Sequence, residues 1–237
     1  RDVLGSRGLG DVYKRQGVGT NNTKTTIHNV KLAEEIGADA VLVVTPYYNK
    51  PNQVGLMTHF KEIANSTDLP ILLYNIPSRT GVSLTLESIL ELAEIKNIVG
   101  IKDSSGDLNL LKALKEQAPD HFCLYSGDDS NYLETIKLGG DGVISVASHV
   151  AGLQMNQIYQ LYQKGKVEEA EALNEKLKPL YKGLFCTTNP IPIKAILNQL
   201  GMEVGGLRLP LVEMDQFETL ELFNELRGLL DLSLIHI

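Results

Sequence analysis

The sequence predicts an α/β fold on a parallel sheet, either part of a (β/α)8 barrel or a doubly wound open sheet. Three observations lead there. From Gly17 onward, short apolar runs rich in Val and Ile alternate with longer stretches of helical period. The runs are apolar at nearly every position, as in strands covered on both faces of a parallel sheet. Polar and reactive residues gather just after the runs, where parallel α/β folds hold their ligands.

Taken in order, the runs are 40–45 (AVLVVT), 70–74 (PILLY), 98–102 (IVGIK), 122–126 (FCLYS) and 142–146 (GVISV). The segments between them read as helices. Residues 52–65 place Val54, Met57, Phe60, Ile63 and Ala64 on one stripe, and 84–93 do the same with Leu86, Ile89, Leu90 and Ala93. Asp107 or the residue after it caps a helix over 108–117, and Asp129 or Ser130 the next one. Gly37, Gly139 and Gly140 fall where helices stop. After Val146 the strands cease, and 149–163, 167–184, 191–200 and 216–229 all read as helices. Five full strands and a stump at 17–19 fall short of the eight a closed barrel needs. Either the sheet is open or the front of a barrel is missing.

Both ends read differently. Residues 1–16 carry no apolar periodicity and 231–237 follow a helix that is already complete, so both are expected to be non-native leader and tail. Between them, 17–150 are expected to form a partial barrel and 151–230 a C-terminal helical region.

Composition excludes some functions. A net charge of −7 and a pI near 5.3 leave no basic footprint for nucleic acid. Cys123 and Cys186 lack zinc-ligand spacing and fit a reduced, cytoplasmic setting. No run approaches the ~18 apolar residues of a membrane span, and no signal-peptide pattern is present.

Lys102 is the sharpest chemical candidate. A lysine ending an otherwise apolar strand points to a low-dielectric interior or its rim, where desolvation disfavours the ammonium. The neutral amine can form a Schiff base with a ketone. The plain alternative is a strand-end lysine paired with Asp103 or reaching solvent. Tyr74, Tyr48 and Tyr47 could relay protons at such an imine, or simply fill strand ends. Arg79, in IPSRTG, suits a bidentate grip on a carboxylate, though a lone loop arginine is usually surface. The Gly-rich 17–23 segment (GVGTNNT) could cradle an anion at a helix start but lacks nucleotide-binding spacing. His28, His59, His121 and His149 show no ligand spacing and read as surface or cap residues.

Together GVGTNNT, VTPYYNKP, LLYNIPSRTG, GIKDSSGD, YSGDD, GVISV and TNPIPIK resemble consecutive landmarks of the dihydrodipicolinate synthase family, which belongs to the pyruvate-dependent Schiff-base aldolases. They stand in family order from about Gly17 to Leu230. The resemblance implies a (β/α)8 barrel with a helical C-terminal extension, assembled as a homotetramer of two dimers, with no cofactor and no metal.

It also implies roles. Lys102 would form the pyruvate imine, and Tyr74 would relay protons there. Tyr48 would reach into a neighbouring subunit's site. Arg79 would hold the carboxylate of L-aspartate-4-semialdehyde, and Gly127 and Ile144 would line the pyruvate pocket through their backbones. The implied reaction condenses pyruvate with the semialdehyde to 4-hydroxy-tetrahydrodipicolinate, in diaminopimelate and lysine synthesis. The other members to weigh are N-acetylneuraminate lyase and keto-deoxy-sugar acid aldolases, which generally lack an arginine matching Arg79. Some relatives bind lysine as an inhibitor through a glutamate near this helix start, and the matching residue here is Thr25.

One family feature has no match. The Gly-Thr-Thr-Gly-Glu motif of the second strand is absent, which implies a barrel lacking two βα units and most of a third strand. The 237-residue chain is therefore expected to be inactive alone, and a non-catalytic truncated scaffold is the competing reading.

Overall fold

The computed structural model describes residues 14–230. The leader residues 1–13 and the tail 231–237 lie outside the described residues. Two compact units emerge among those described: residues 14–127 with 137–143, and residues 128–136 with 144–230.

The first unit carries the sheet. Its strands are β1 (Arg15–Gly17), β2 (Ala40–Val44), β3 (Ile71–Asn75), β4 (Ile98–Asp103), β5 (Cys123–Ser126) and β6 (Gly142–Val143). Each pairs in parallel with the next, in chain order throughout. A doubly wound sheet reverses strand order at a switch point. No reversal occurs here, so the barrel-type winding is the correct one of the two expected architectures. The sheet is also curled. The Arg15 guanidinium carbon lies 5.1 Å from the Tyr125 ring centroid, although four strand spacings separate β1 from β5. In a flat sheet those strands would stand roughly 19 Å apart.

The strand limits depart from expectation at both edges. Arg15 and Gln16, grouped with the leader by sequence, are the first residues of β1 and register with Ala40 and Val41. At the other edge β6 ends at Val143 rather than Val146. The Val146 and Ala147 N–H groups donate to Asp129 Oδ2, at 3.2 and 2.9 Å, instead of continuing a ladder. Asp129 thereby ties that loop to the 3-10 turn it opens, whose cap position is Asp128.

Helices cover one face of the sheet. They are α1 (Thr23–Glu35), α2 (Gln53–Ala64), α3 (Pro77–Thr80), α4 (Leu86–Ala93) and α5 (Leu108–Gln117). Asn22, Asn52, Thr85 and Asp107 cap α1, α2, α4 and α5 by accepting from first-turn N–H groups. Val41, Val43, Ile71, Leu73 and Ile101 pack against Val30, Phe60, Ile63, Ile89 and Leu92 in one core. The stripe of α2 is rotated from the expected one. Leu56 and His59 join Phe60 and Ile63 in the interior, while Val54 is 67% exposed. The other sheet face is less covered than expected, since Leu42, Val44, Tyr74, Lys102 and Tyr125 are all half-buried. Gly100 on β4 is fixed by a close approach, because a Cβ there would stand 2.4 Å from the Cys123 carbonyl oxygen.

The second unit is helical. A 3-10 turn (Asp129–Asn131) leads into α6 (Tyr132–Lys137), and α7 (Ser148–Gln163), α8 (Val167–Gly183), α9 (Ile191–Gln199) and α10 (Gln216–Leu226) follow. These lie within a residue or so of the expected helices, except that α10 ends three residues early. Tyr132 in α6 donates its hydroxyl to the Met155 carbonyl of α7 at 3.2 Å. Gly183 of α8 gives Leu222 and Leu226 of α10 room to pack against it. No helix of the described residues is long and apolar enough to cross a membrane.

Candidate active site

The site begins with a register. Tyr74 on β3 stands opposite Lys102 on β4, and Lys102 opposite Tyr125 on β5. Cross-strand partners share a face, so the three side chains form a row on the half-buried face. Lys102 Nζ lies 4.2 Å from the centroid of the Tyr74 ring. The apolar body of Tyr74 and its strand neighbours thus surround an amine that the sequence singled out for its apolar strand.

Asp103 does not close on that amine from its own strand position. Successive strand residues face opposite ways, and Asp103 turns to the helical side. Its carboxylate accepts from Asn75 Nδ2 at 2.8 Å and from the Ser105 N–H and hydroxyl at 3.1 and 2.6 Å. Asn75 in turn accepts from the Leu84 N–H at 3.1 Å.

Gly127 closes the row at the end of β5. Its N–H donates to the Asp103 carbonyl at 2.6 Å. A Cβ at this position would lie 2.9 Å from Lys102 Cε and 1.9 Å from Ser104 Oγ, so only glycine fits beside the lysine.

A cavity of about 370 Å³ opens beside Tyr74 and is lined also by Gly19, Val44, Tyr47, Arg79 and Thr80. Arg79 arrives on α3, a single turn that the sequence did not announce. Pro77 opens this turn, and Gly81 closes it at φ 76°. Thr80 anchors it: its buried hydroxyl donates to the Ile76 carbonyl at 3.0 Å and accepts from Thr45 Oγ1 at 3.3 Å.

One expected site residue stands outside the cavity, and another falls in the second compact unit. Tyr48 is 87% exposed and held at φ 75°, a left-handed conformation unusual for a tyrosine. Asn49 secures the same turn by donating its amide to the Asn21 carbonyl at 2.9 Å. Tyr47, not Tyr48, lines the cavity. Ile144 follows β6 directly and belongs to the second compact unit, where it is half-buried.

The GVGTNNT segment serves its own backbone. The N–H groups of Thr20, Asn22 and Thr25 donate to Thr26 Oγ1, Thr20 Oγ1 and Asn22 Oδ1, at 3.0, 3.2 and 3.0 Å. Those donors are therefore not offered to an anion. Of the histidines, His28, His121 and His149 are exposed as expected. His59 is not a surface residue: it is 4% exposed and bonded through Nδ1 to Thr23 Oγ1 at 2.9 Å. Its burial lowers the imidazole pKa to about 4. The described residues hold no cluster of acidic, histidine or cysteine side chains suited to a metal.

The sequence places Asn75 at the end of its apolar run beside Tyr74 but gives no sign of Thr80 or Ser104. Each of these is a polar residue within two positions of Arg79 or Lys102, which was the available signal.

Known proteins agree on one family. The dihydrodipicolinate synthetase family model matches residues 10–228. The 4-hydroxy-tetrahydrodipicolinate synthase 1 of Halalkalibacterium halodurans is 50% identical over 206 residues, covering 87% of this chain and 70% of that one. Among solved structures, dihydrodipicolinate synthase from Thermotoga maritima superposes with a TM-score of 0.88 at 43% identity, covering 92% of this chain and 76% of that one. The enzyme from Cyanidioschyzon merolae with lysine bound gives 0.87 at 41% identity, covering 91% and 74%.

Proposed function

The chain belongs to the dihydrodipicolinate synthetase family, and from that premise we propose how its residues carry out the family's chemistry. The reaction is the condensation of pyruvate with L-aspartate-4-semialdehyde to 4-hydroxy-tetrahydrodipicolinate, in diaminopimelate and lysine synthesis. The observation that carries the assignment of roles is the opposition of Lys102 and Tyr74 beside the Arg79 cavity.

Neutral Lys102 Nζ attacks the pyruvate keto carbon, and the ketone oxygen leaves as water to give an imine. Loss of a methyl proton converts the imine to an enamine, whose terminal carbon attacks the semialdehyde aldehyde. The semialdehyde's own amine then displaces Lys102 as the ring closes. Each step moves a proton, and the Tyr74 hydroxyl serves as the relay, on the ring whose centroid lies 4.2 Å from the amine. Gly127 leaves room for the lysine to carry its adduct, and the backbone at Gly127 and Ile144 lines the pyruvate side. Arg79 grips the semialdehyde carboxylate with its planar fork. That arginine is also why the semialdehyde is favoured over a sugar acid as the partner.

Tyr48 belongs to the same proposal. A tyrosine held left-handed costs of order 1–3 kcal/mol and persists where function demands it. Turned outward, it suits donation to a neighbouring subunit in a dimer of dimers. A cytoplasmic setting and a (β/α)8 barrel contributing these six consecutive strands complete the reading.

The test is borohydride reduction in the presence of pyruvate, followed by peptide mapping, on a chimera that carries a relative's first strands ahead of β1. The expected product is a single reduced adduct on Lys102. An adduct on another lysine, or none, removes the proposed nucleophile.

A further inference from the structure

The hydroxyl that follows β2 reaches the turn that carries the arginine. Thr45 comes directly after Val44 and is 0% exposed, and Thr80 is 3% exposed. The Thr45 N–H donates to the Tyr74 carbonyl at 2.9 Å, so the β2–β3 ladder fixes its backbone. Its hydroxyl donates to Thr80 Oγ1 at 3.3 Å, and Thr80 Oγ1 lies 3.0 Å from both the Ile76 and the Val82 carbonyl oxygens. Arg79 and Thr80 are neighbours on α3 and both line the cavity, whereas Thr45 does not.

Three points give this bond a function. A helical turn of four residues is far too short to persist on its own, so its place depends on what it touches. A valine at 45 would continue the apolar run of β2 with the same branched shape and no hydroxyl to desolvate, so the bond, not packing, accounts for the threonine. The bond also refers the arginine's turn to the reacting row, because Thr45 is fixed to the strand residue that stands opposite Lys102. A substrate misplaced by about 1 Å can cost on the order of 10²-fold in rate. Resting on the Schiff-base reading above, we propose that Thr45 is a positioning residue for the second substrate. Through Thr80, its hydroxyl sets the α3 turn so that Arg79 holds the aldehyde's carboxylate at the reach that brings its carbonyl to the carbon carried on Lys102. Thr45 touches no substrate, and its effect passes through Arg79.

The experiment uses the same chimera, in a coupled synthase assay at varied semialdehyde and in borohydride trapping at varied pyruvate. Thr45→Val keeps the shape of the side chain and Thr45→Ala removes any crowding by the added methyl. Neither has a hydroxyl, whereas Thr45→Ser retains one. The valine and alanine variants should each raise KM for the semialdehyde roughly tenfold, the loss of one buried hydrogen bond. Half-saturating pyruvate in the trapping should not change, and Thr45→Ser should recover the parent KM. In an Arg79→Ala background, Thr45→Val should leave kcat/KM for the semialdehyde where Arg79→Ala alone puts it, since the two substitutions remove one function. An unchanged KM in both hydroxyl-free variants overturns the proposal. So does a parallel rise in half-saturating pyruvate, which marks a general loosening of the site. A further tenfold loss on top of Arg79→Ala overturns it too, because Thr45 would then act by another route. Absence of an adduct on the unsubstituted chimera overturns the Schiff-base reading itself, and this proposal with it.

Discussion

Asn75 and Asp103 join β3 to β4 one residue beyond Tyr74 and Lys102, on the opposite face of the sheet. Their 2.8 Å bond is buried, with Asn75 0% and Asp103 3% exposed. The pair therefore works as a register pin for the two strands that set the tyrosine against the lysine. A one-residue slip would turn Lys102 toward the helices and Asp103 toward the cavity.

Asn75→Ala should cost about 3 kcal/mol, because it leaves a buried carboxylate short of a donor and frees the Leu84 N–H. Pyruvate trapping should fall as well, since the lysine's placement depends on the pin. Denaturant midpoints and adduct yield measured on one preparation check both. A stable variant with full trapping would show that the sheet holds its register without this bond.

Lys102→Ala and Tyr74→Phe separate nucleophile from relay. The first should abolish the pyruvate adduct entirely. The second keeps the ring that lies 4.2 Å from the amine but loses its hydroxyl. It should still form adduct, with imine formation slowed about 10²- to 10⁴-fold, the usual range for a lost acid–base group. Rapid-quench trapping distinguishes them, and an unslowed Tyr74→Phe would move the relay elsewhere.

The strand-and-helix order was legible because each apolar run is bounded by turn residues and each helix carries its own cap. Asn22, Asn52, Thr85 and Asp107 announce four helix starts by chemistry that is local in sequence. What was illegible depended on contacts distant in sequence. Asp129 reads as a helix cap, and nothing local announces that its carboxylate accepts from Val146 and Ala147, 17 and 18 residues away. Arg15 and Gln16 carry no strand signal of their own and join the sheet only because Ala40 and Val41 offer a ladder. At the site, Lys102 and Tyr74 were visible as reactive residues ending apolar strands. Ser104 was not, because an ordinary serine in a Ser-Ser-Gly loop gives no hint that its hydroxyl will be buried without a partner among the described residues.

Tyr48→Phe should lower turnover while leaving assembly unchanged, because the hydroxyl acts across a subunit boundary in the proposed arrangement. The exposure of this tyrosine, 87%, means its loss cannot act through the core of its own chain. Sedimentation and a coupled synthase assay at several protein concentrations check this. Full specific activity in a demonstrably monomeric sample would contradict the cross-subunit role.

Lysine should bind weakly here. The first turn of α1 carries no acidic residue, and Thr25 donates its hydroxyl to Asn22 Oδ1 at 3.2 Å. An effector ammonium arriving at this turn would meet no carboxylate to pair with, and an exposed neutral contact replaces little of that attraction. Calorimetric titration should find no saturation at sub-millimolar lysine. Tight binding there would mean that the ammonium is held by other groups.

Stability should fall with acid through His59. Burial depresses its folded pKa to about 4, against 6.5 for an accessible imidazole. Above pH 6.5 the ring is neutral in both states and contributes nothing to the pH dependence. Between pH 6.5 and about 4 the unfolded chain binds a proton that the folded chain refuses, so stability drops as pH falls through that window. The loss should reach roughly 3 kcal/mol and then level off, at 1.36 kcal/mol per unit of depressed pKa. Thr23 Oγ1 bonds Nδ1 at 2.9 Å and ties α2 to the first residue of α1, whereas buried Nε2 has no partner among the described residues to accept from an added proton. His59→Gln keeps an amide able to bond Thr23 but cannot titrate. Denaturant midpoints of both chains from pH 7.5 to 4 isolate the term from the carboxylates, which titrate equally in each. Parallel pH profiles for the two chains would show that His59 takes up its proton without cost to the fold.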